Sequence, residues 1–449
     1  MSPDDDWSTR NLHFVGVGGA GMSGWATVAA QLGATVSGSD EAESAALEAL
    51  RAVGIDAYAG HDASRLPGVD GLEVVRSSAI PEANSELEEA RKRGLRVMER
   101  AELLAELTSL KRTIAVAGAH GKTTTSSIVA HILIETGHDP GYLIGGQLRS
   151  SGRNADWGSG EWLVVEADES DRSLLSLEAE LAIVTNIELD HHANYGSLAE
   201  LREVFRSFLE KPACVVLPDR PEIVELRGDG PVVAFNVEEL SLDADGSRFL
   251  WQGQQVTLTL PGAHNAANAV AALEVALLAG VDAVDAAAAV GSFAGSGRRF
   301  ERLGYSEQGA LLIDDYAHHP TEVAATIAAA RTLAPKRLVA LFQPHLFSRT
   351  ERLAHEFGAA LAEADIVVVT DVYASRERAE DFPGVDGHLI AAAAADAGDG
   401  REVCWAPTLT NARELLSQRL IPGDICLVLG AGDVRSVGED LAVEPFTSN

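Results

Sequence analysis

Two glycine-rich stretches, each set between an apolar run and a helical pattern, constrain this chain more than any other feature. The first, Gly16-Val-Gly18-Gly19-Ala-Gly21-Met-Ser23-Gly24, grows out of LHFVGV (12–17). The second, Gly118-Ala-His120-Gly121-Lys122-Thr123-Thr124, grows out of TIAVAG (113–118). A buried strand that turns straight into a helix begins a βαβ unit, and repetition of that rhythm gives parallel sheets covered by helices. The rhythm continues through ATVSGSD (34–40), 96–98, WLVVEAD (162–168), LAIVTNI (181–187) and ACVVL (213–217). It resumes in LLIDDY (311–316), RLVALFQ (337–343), DIVVVTDV (365–372) and ICLVLG (425–430). Between these blocks SRFLWQGQQVTLTLPG (247–262) reads as a hairpin, followed by a helix over 265–278.

At 449 residues the chain is too long for one core. The polar stretch TSLKR, after a short helix over 102–107, and the Gly/Ser-rich GSFAGSGRR (291–299) divide it. The expected class is therefore α/β with three domains. They are a Rossmann-like domain over 1–109, a central P-loop ATPase-type domain over 110–295 and a Rossmann-like α/β domain over 296–449.

The formal net charge is −32, from 35 basic and 67 acidic residues. Such a surface repels nucleic acid and anionic membranes, so neither is an expected partner. It repels nucleotides too, so any phosphate site must be built locally from backbone amides, a metal ion and a few Lys or Arg. The opening MSPDDDWSTR lacks the basic and apolar regions of a secretion signal, and no apolar run approaches a membrane span. Cys214, Cys404 and Cys426 are too scattered for disulfides or a metal site. A cytoplasmic location is expected.

The motifs cluster at strand ends. In Gly118–Thr124, glycines let amides close on phosphate oxygens, Lys122 supplies a point charge and Thr123 can ligate Mg²⁺. Only two residues separate Gly118 from Gly121, fewer than in the general Walker pattern. Gly16–Gly24 contains G-x-G-x-x-G with Asp40 ending the next strand, which signals a diphosphate at a helix N-terminus without naming the ligand. Glu166-Ala-Asp168-Glu169-Ser-Asp171 offers carboxylates suited to Mg²⁺. Thr185-Asn186-Ile-Glu188-Leu-Asp190-His191-His192 again sets polar groups just past a strand, with His191 a candidate metal or substrate ligand. Asn265 and Asn268 share one face of a helix start. Asp314-Asp315-Tyr316-Ala-His318-His319-Pro and Gln343-Pro-His345-Leu346-Phe-Ser-Arg349-Thr complete the series, and together these strand ends point to one cleft.

Taken in order, G-x-H-G-K-T-T, E-A-D-E-S-D, T-N-I-E-x-D-H, H-N-x-x-N, R-R-F, D-D-Y-x-H-H-P-T and Q-P-H-x-x-S-R-T resemble the motifs of the Mur ligases over nearly the whole chain. The amino-terminal G-V-G-G-x-G-M-S-G and Ser77-Ser78-Ala-Ile-Pro resemble the member that adds L-alanine to UDP-N-acetylmuramate. The absence of lysine between His191 and Glu210, where sister enzymes carry a carbamylated one, fits that member. The resemblance implies that Gly16, Gly18, Gly19, Gly21, Ser23, Asp40, Ser77 and Ser78 bind the UDP-sugar. It implies ATP on Gly118, His120, Gly121, Lys122, Thr123 and Thr124, with His264, Asn265 and Asn268 at the nucleoside, Arg299 at the phosphates and Asp315 at the ribose. Mg²⁺ falls to Thr123, Glu166 and His191, and the amino acid to Tyr316, His318, His345 and Arg349.

The implied reaction activates the lactyl carboxylate as an acyl phosphate, which the amine of L-alanine then attacks. Lys122, His191, His345 and Arg349 are the expected catalytic set, with His345 or His191 assisting loss of the amine proton. A monomer or homodimer is expected. A sister reading joins a preformed tripeptide to the same sugar nucleotide. A different class, a nicotinamide-dependent oxidoreductase, rests on G-x-G-x-x-G and Asp40 alone. One departure stands out: Leu346 occupies a place where family members often have Arg, and Leu346→Arg is expected to be tolerated.

Overall fold

The structure is a computed structural model that describes residues 6–189 and 195–445. The described chain divides into two compact units, one built from residues up to Leu189 with Ser197–Asn236 and Val270–Ala289, the other chiefly from Val237–Ala269 and Val290 onward.

The first unit contains two sheets. One comprises β1 (Asn11–Val15), β2 (Thr35–Asp40), β3 (Asp56–Ala59), β4 (Leu72–Arg76) and β5 (Arg96–Glu99) in the order β3-β2-β1-β4-β5, all parallel. The order reverses between β1 and β4, and at such a switch the loops leaving the strand ends splay apart and open a crevice. The second sheet comprises β6 (Arg112–Ala117), β7 (Gly141–Leu148), β8 (Arg153–Asp156), β9 (Trp162–Glu166), β10 (Leu181–Val184), β11 (Cys214–Pro218) and β12 (Val232–Phe235). Its order is β12-β11-β10-β6-β9-β7-β8, parallel except for the edge strand β8. The central β6 is flanked by β10 and β9, so three motif-bearing strand ends lie side by side.

The second unit opens with the antiparallel strands β13 (Glu238–Asp243), β14 (Gly246–Trp251) and β15 (Gln254–Leu258), a three-stranded sheet where the sequence suggests only a hairpin. Its large sheet comprises β16 (Glu301–Ser306), β17 (Leu311–Asp315), β18 (Leu338–Phe342), β19 (Ile366–Val369), β20 (Glu402–Trp405), β21 (Ile425–Leu429) and β22 (Ala442–Pro445). The order is β20-β19-β18-β21-β17-β16-β22, with β16 and β22 antiparallel to their neighbours. Leu338, Ala340 and Phe342 of β18 enter one core cluster, Val339 and Leu341 the other. Side chains alternate across a strand, so a strand buried on both faces must be apolar throughout, as LVALF (Leu338–Phe342) is. No helix among the described residues is long and apolar enough to cross a membrane.

The first sheet also encloses a carboxylate. Asn84 caps the helix Ser85–Lys92, its side chain accepting from the Glu86 amide at 2.9 Å. That cap sets Glu86 at the first turn, where it is completely buried. Its oxygens accept from the Ser39 hydroxyl, the Tyr58 hydroxyl at 3.0 Å and the Asp62 amide at 3.1 Å, and the His13 Nε2 lies 3.6 Å away. Burial pushes this carboxyl up, but His13, Ser39 and the Asp62 amide outweigh it and hold it at about 2. A pKa lowered from the unfolded value of 4.5 stabilises the fold above that value, by on the order of 3 kcal/mol, and the benefit vanishes as pH falls toward 2. Glu86→Gln should therefore be clearly less stable than the parent at pH 7 in urea unfolding, with the gap closing between pH 4.5 and 2. A gap independent of pH would remove the ionised carboxylate as its cause.

Candidate functional site

At the first sheet's switch point, Gly16 to Gly19 turn β1 into the helix Ala20–Gln31. The amides of Gly16 and Val17 donate to the Ser39 carbonyl at 2.8 and 2.9 Å. The Gly18 amide donates to Asp40 at 2.7 Å, and a Cβ on Gly18 would sit 2.9 Å from that carboxylate and push it aside. Ser77 leaves β4 beside Gly16, and Ser78 is exposed in the turn that follows. Gly21 and Ser23 lie in the first turns of the helix. Gly16, Gly18, Asp40 and Ser77 thus meet at this turn, with Asp40 bracing the loop.

The second glycine loop is clasped from β10. Gly118 has φ +132°, and a Cβ there would collide with the Thr185 hydroxyl. Asn186 accepts from the His120 amide at 3.0 Å through its side chain and donates to the His120 carbonyl at 2.9 Å. The Thr185 hydroxyl donates to that same carbonyl. Gly121, at φ +82°, leads into the helix Lys122–Glu135, and no side chain caps its N-terminus. Thr123 to Leu133 are all buried, so the loop is mounted on a helix enclosed from every side.

Charge concentrates around this helix start. The Lys122 ammonium donates to both Glu169 oxygens at 2.9 and 3.0 Å and to the Gly118 carbonyl at 2.6 Å. Burial alone would lower its pKa, but Glu169, Asp168 and Glu166 more than compensate and hold it above the usual lysine value. Glu166, at the end of β9, accepts from Thr123 and Ser126 at 3.3 Å each and from the Gly145 amide at 2.5 Å. Asp168 pairs with Arg100 at 2.9 Å. Burial raises the Asp168 carboxyl, and the charges of Lys122 and Arg100 prevail and bring it below the usual range. His120 and Glu188 approach to 3.4 Å. Thr124 is buried in the first turn. His191, the remaining expected metal ligand, lies outside the described residues.

In the second unit the strand ends of β17, β18 and β19 carry a ring cluster. Tyr316 and His318 stand 5.3 Å apart, His318 and His345 5.9 Å, and His345 and Tyr373 stack at 5.9 Å and 15°. Arg349 is buried, with its guanidinium 3.2 Å from His345 Nδ1. A guanidinium only donates, so Nδ1 is the acceptor in this contact. His318 bonds the Tyr316 carbonyl through Nδ1 at 2.9 Å, with Glu322 3.3 Å from the same nitrogen. Arg299 lies 3.9 Å from Glu322 and over the Tyr316 ring. Asp315 accepts from the Phe300 and Ala317 amides at 2.8 Å each. Burial pushes its carboxyl up to about 6, against the opposing charge of Arg299. Asn265 and Asn268 are buried at the start of the helix Ala263–Leu278, Asn265 donating to the Pro261 carbonyl at 2.8 Å, while His264 beside them is exposed.

Leu346 is only 7% exposed and left-handed, at φ +69°, where it precedes the helix Phe347–Leu361. Leu346 already bears this positive φ, and an arginine there would have to thread its longer stem out of the same enclosed position to keep its charge solvated. Three contributors carried no local signal as site residues: Arg100, Gly145 and Tyr373. Each acts through a contact with a segment distant in sequence.

Family models match in three blocks: "Mur ligase family, catalytic domain" over residues 11–112, "Mur ligase middle domain" over 116–276 and "Mur ligase, glutamate ligase domain" over 298–432. The chain is 43% identical over 453 residues to a UDP-N-acetylmuramate–L-alanine ligase of Acidithiobacillus ferrooxidans, covering 95% of this chain and 96% of that one. It is also 43% identical to the ligase of the same description from Rubrobacter xylanophilus, covering 96% and 99%. Among solved structures, UDP-N-acetylmuramate-alanine ligase from Thermotoga maritima superposes with a TM-score of 0.83 at 28% identity, covering 96% of this chain and 98% of that one.

Proposed function

The chain belongs to the Mur ligase family, and from that premise we propose how its residues share the work. It is an ATP-dependent acid–amino-acid ligase that joins L-alanine to the lactyl carboxylate of UDP-N-acetylmuramate in peptidoglycan precursor synthesis. The observation that carries the assignment is the convergence of Lys122, Thr123, Glu166 and Asn186 at three adjacent strand ends. Residues 1–109 hold the UDP-sugar, 110–295 bind ATP and 296–449 receive the amino acid. We place the enzyme in the cytoplasm, as a monomer or homodimer.

A carboxylate does not condense with an amine until it carries a leaving group. The lactyl carboxylate attacks the γ-phosphate of ATP in line, giving an acyl phosphate and ADP. Lys122, backed by Glu169, lies where a fixed positive charge offsets repulsion between two anions. The Thr123 hydroxyl and Glu166 carboxylate are hard oxygen donors 3.3 Å apart, a pairing suited to Mg²⁺, with His191 the third ligand implied by the family. Bound there, the ion would supply further charge against the phosphate oxygens. His264, Asn265, Asn268, Arg299 and Asp315 serve the nucleotide.

The amine of L-alanine then attacks the acyl carbon and phosphate leaves. The substrate amine must stay exposed to react, so the alanine carboxylate is the natural anchor, and Arg349 is suited to grip it bidentately. His345 accepts from Arg349 through Nδ1, so protonating that nitrogen would set it against the guanidinium. Its role is therefore to orient Arg349, with Tyr316 and His318 forming the neighbouring wall.

Incubation with ATP, UDP-N-acetylmuramate and either L-alanine or a preformed tripeptide, read by mass spectrometry, tests the substrate assignment. The alanine adduct alone is expected, and reaction with tripeptide only would overturn it. Lys122→Ala should lower turnover at least a hundredfold while the protein stays folded, since one charged contact to a transferring phosphoryl group is worth about 3–4 kcal/mol. Activity within about tenfold of the parent would remove Lys122 from the ATP site. Arg349→Lys should raise the alanine KM roughly ten- to a hundredfold, with the KM values for ATP and UDP-N-acetylmuramate little changed. An unchanged alanine KM would transfer the anchoring role elsewhere.

A further inference from the structure

Arg100 belongs to the chain of the first sheet, directly after β5, yet it acts on a turn of the second. Its Nε donates to Asp171 at 2.6 Å and its Nη2 to Asp168 at 2.9 Å. These two aspartates bracket Glu169 and Ser170. Each also closes its own part of the turn, Asp168 accepting from the Ser170 amide at 2.9 Å and Asp171 from the Ser173 amide at 3.0 Å. The turn is strained, because Arg172 holds φ +62°, a conformation that L side chains rarely adopt. At its centre Glu169 is 2% exposed and grips Lys122 with both oxygens. A strained turn keeps its shape only when its surroundings fix it, and the guanidinium fork is the group that spans both bracketing carboxylates.

We infer that Arg100 is a positioning residue for phosphoryl transfer, bracing the Asp168–Asp171 turn so that Glu169 holds Lys122 in place. The inference rests on the reading of Lys122 as the ATP-site lysine and extends it to a residue of the UDP-sugar domain. Loss of the brace lets the turn relax, Glu169 withdraws and Lys122 loses its fixed direction. The Trp25 ring, on the helix that follows the first glycine loop, lies 5.6 Å from the Arg100 guanidinium and covers it on that side. One side chain therefore bonds the turn that holds Lys122 and lies near the helix that follows the first glycine loop.

The test is a mutant cycle on the full-length chain, with initial rates measured against ATP at saturating UDP-N-acetylmuramate and L-alanine. Arg100→Lys keeps the charge but cannot fork across two carboxylates, and it should lower kcat/KM for ATP about tenfold while leaving the alanine KM within about twofold. Glu169→Gln should have a similar effect. If Arg100 acts through Glu169, the double variant should be no more than about twofold worse than the poorer single variant. Additive losses, or an equal rise in the alanine KM, would overturn the inference. Thermal melts of each variant exclude global unfolding, and Arg100→Gln repeats the cycle should Arg100→Lys melt early. Lys122→Ala separates the two levels of the argument. If it stays active, the ATP-site reading falls. If it is inactive while the cycle is additive, only the brace falls.

Discussion

The structure is organised around the problem of holding polyphosphate on a polyanion. With 67 acidic residues against 35 basic ones, the field around the chain opposes its nucleotide substrates. Attraction therefore has to be short-ranged and enclosed. The pairing of Lys122 with Glu169 has that character, because the lysine is kept charged and directed within a tight glycine loop. A phosphate drawn to Lys122 would have to compete with the same carboxylates that keep the cation charged. Thr185 and Asn186 hold the loop from the side, and the buried helix Lys122–Glu135 supports it from below.

How much of this was legible in the sequence depended on burial. Strands covered on both faces, such as β6, β10, β18 and β21, are continuous apolar runs and stand out. Edge and surface strands do not: β8 is Arg-Asn-Ala-Asp, and β13 is almost wholly exposed. Their pairing comes from neighbours supplied by the fold rather than from their own composition. The site followed a similar rule. Polar and glycine-rich strand ends are unusual in type and spacing, so Gly118–Thr124, Glu166, Asp315, His345 and Arg349 could be singled out as candidates from the sequence. Arg100 and Tyr373 are ordinary residues locally, and only tertiary contacts give them a place.

Leu346 shows how backbone and side chain separate these two kinds of information. As a letter in the sequence it marks a missing cation. In the fold it is a left-handed hinge between His345 and the helix carrying Arg349, with its amide donating to the Tyr373 carbonyl at 3.0 Å and its own carbonyl accepting from Thr350. The position is set by the turn geometry that aims its neighbours.

The helix Lys122–Glu135 begins at a left-handed glycine without a capping side chain. A first turn left open in this way trades intrinsic stability for readiness to receive an anion. Ligands that bind only the native state add to its stability in proportion to their saturation. Nucleotide bound at this turn would therefore support the fold as well as supply the phosphoryl group.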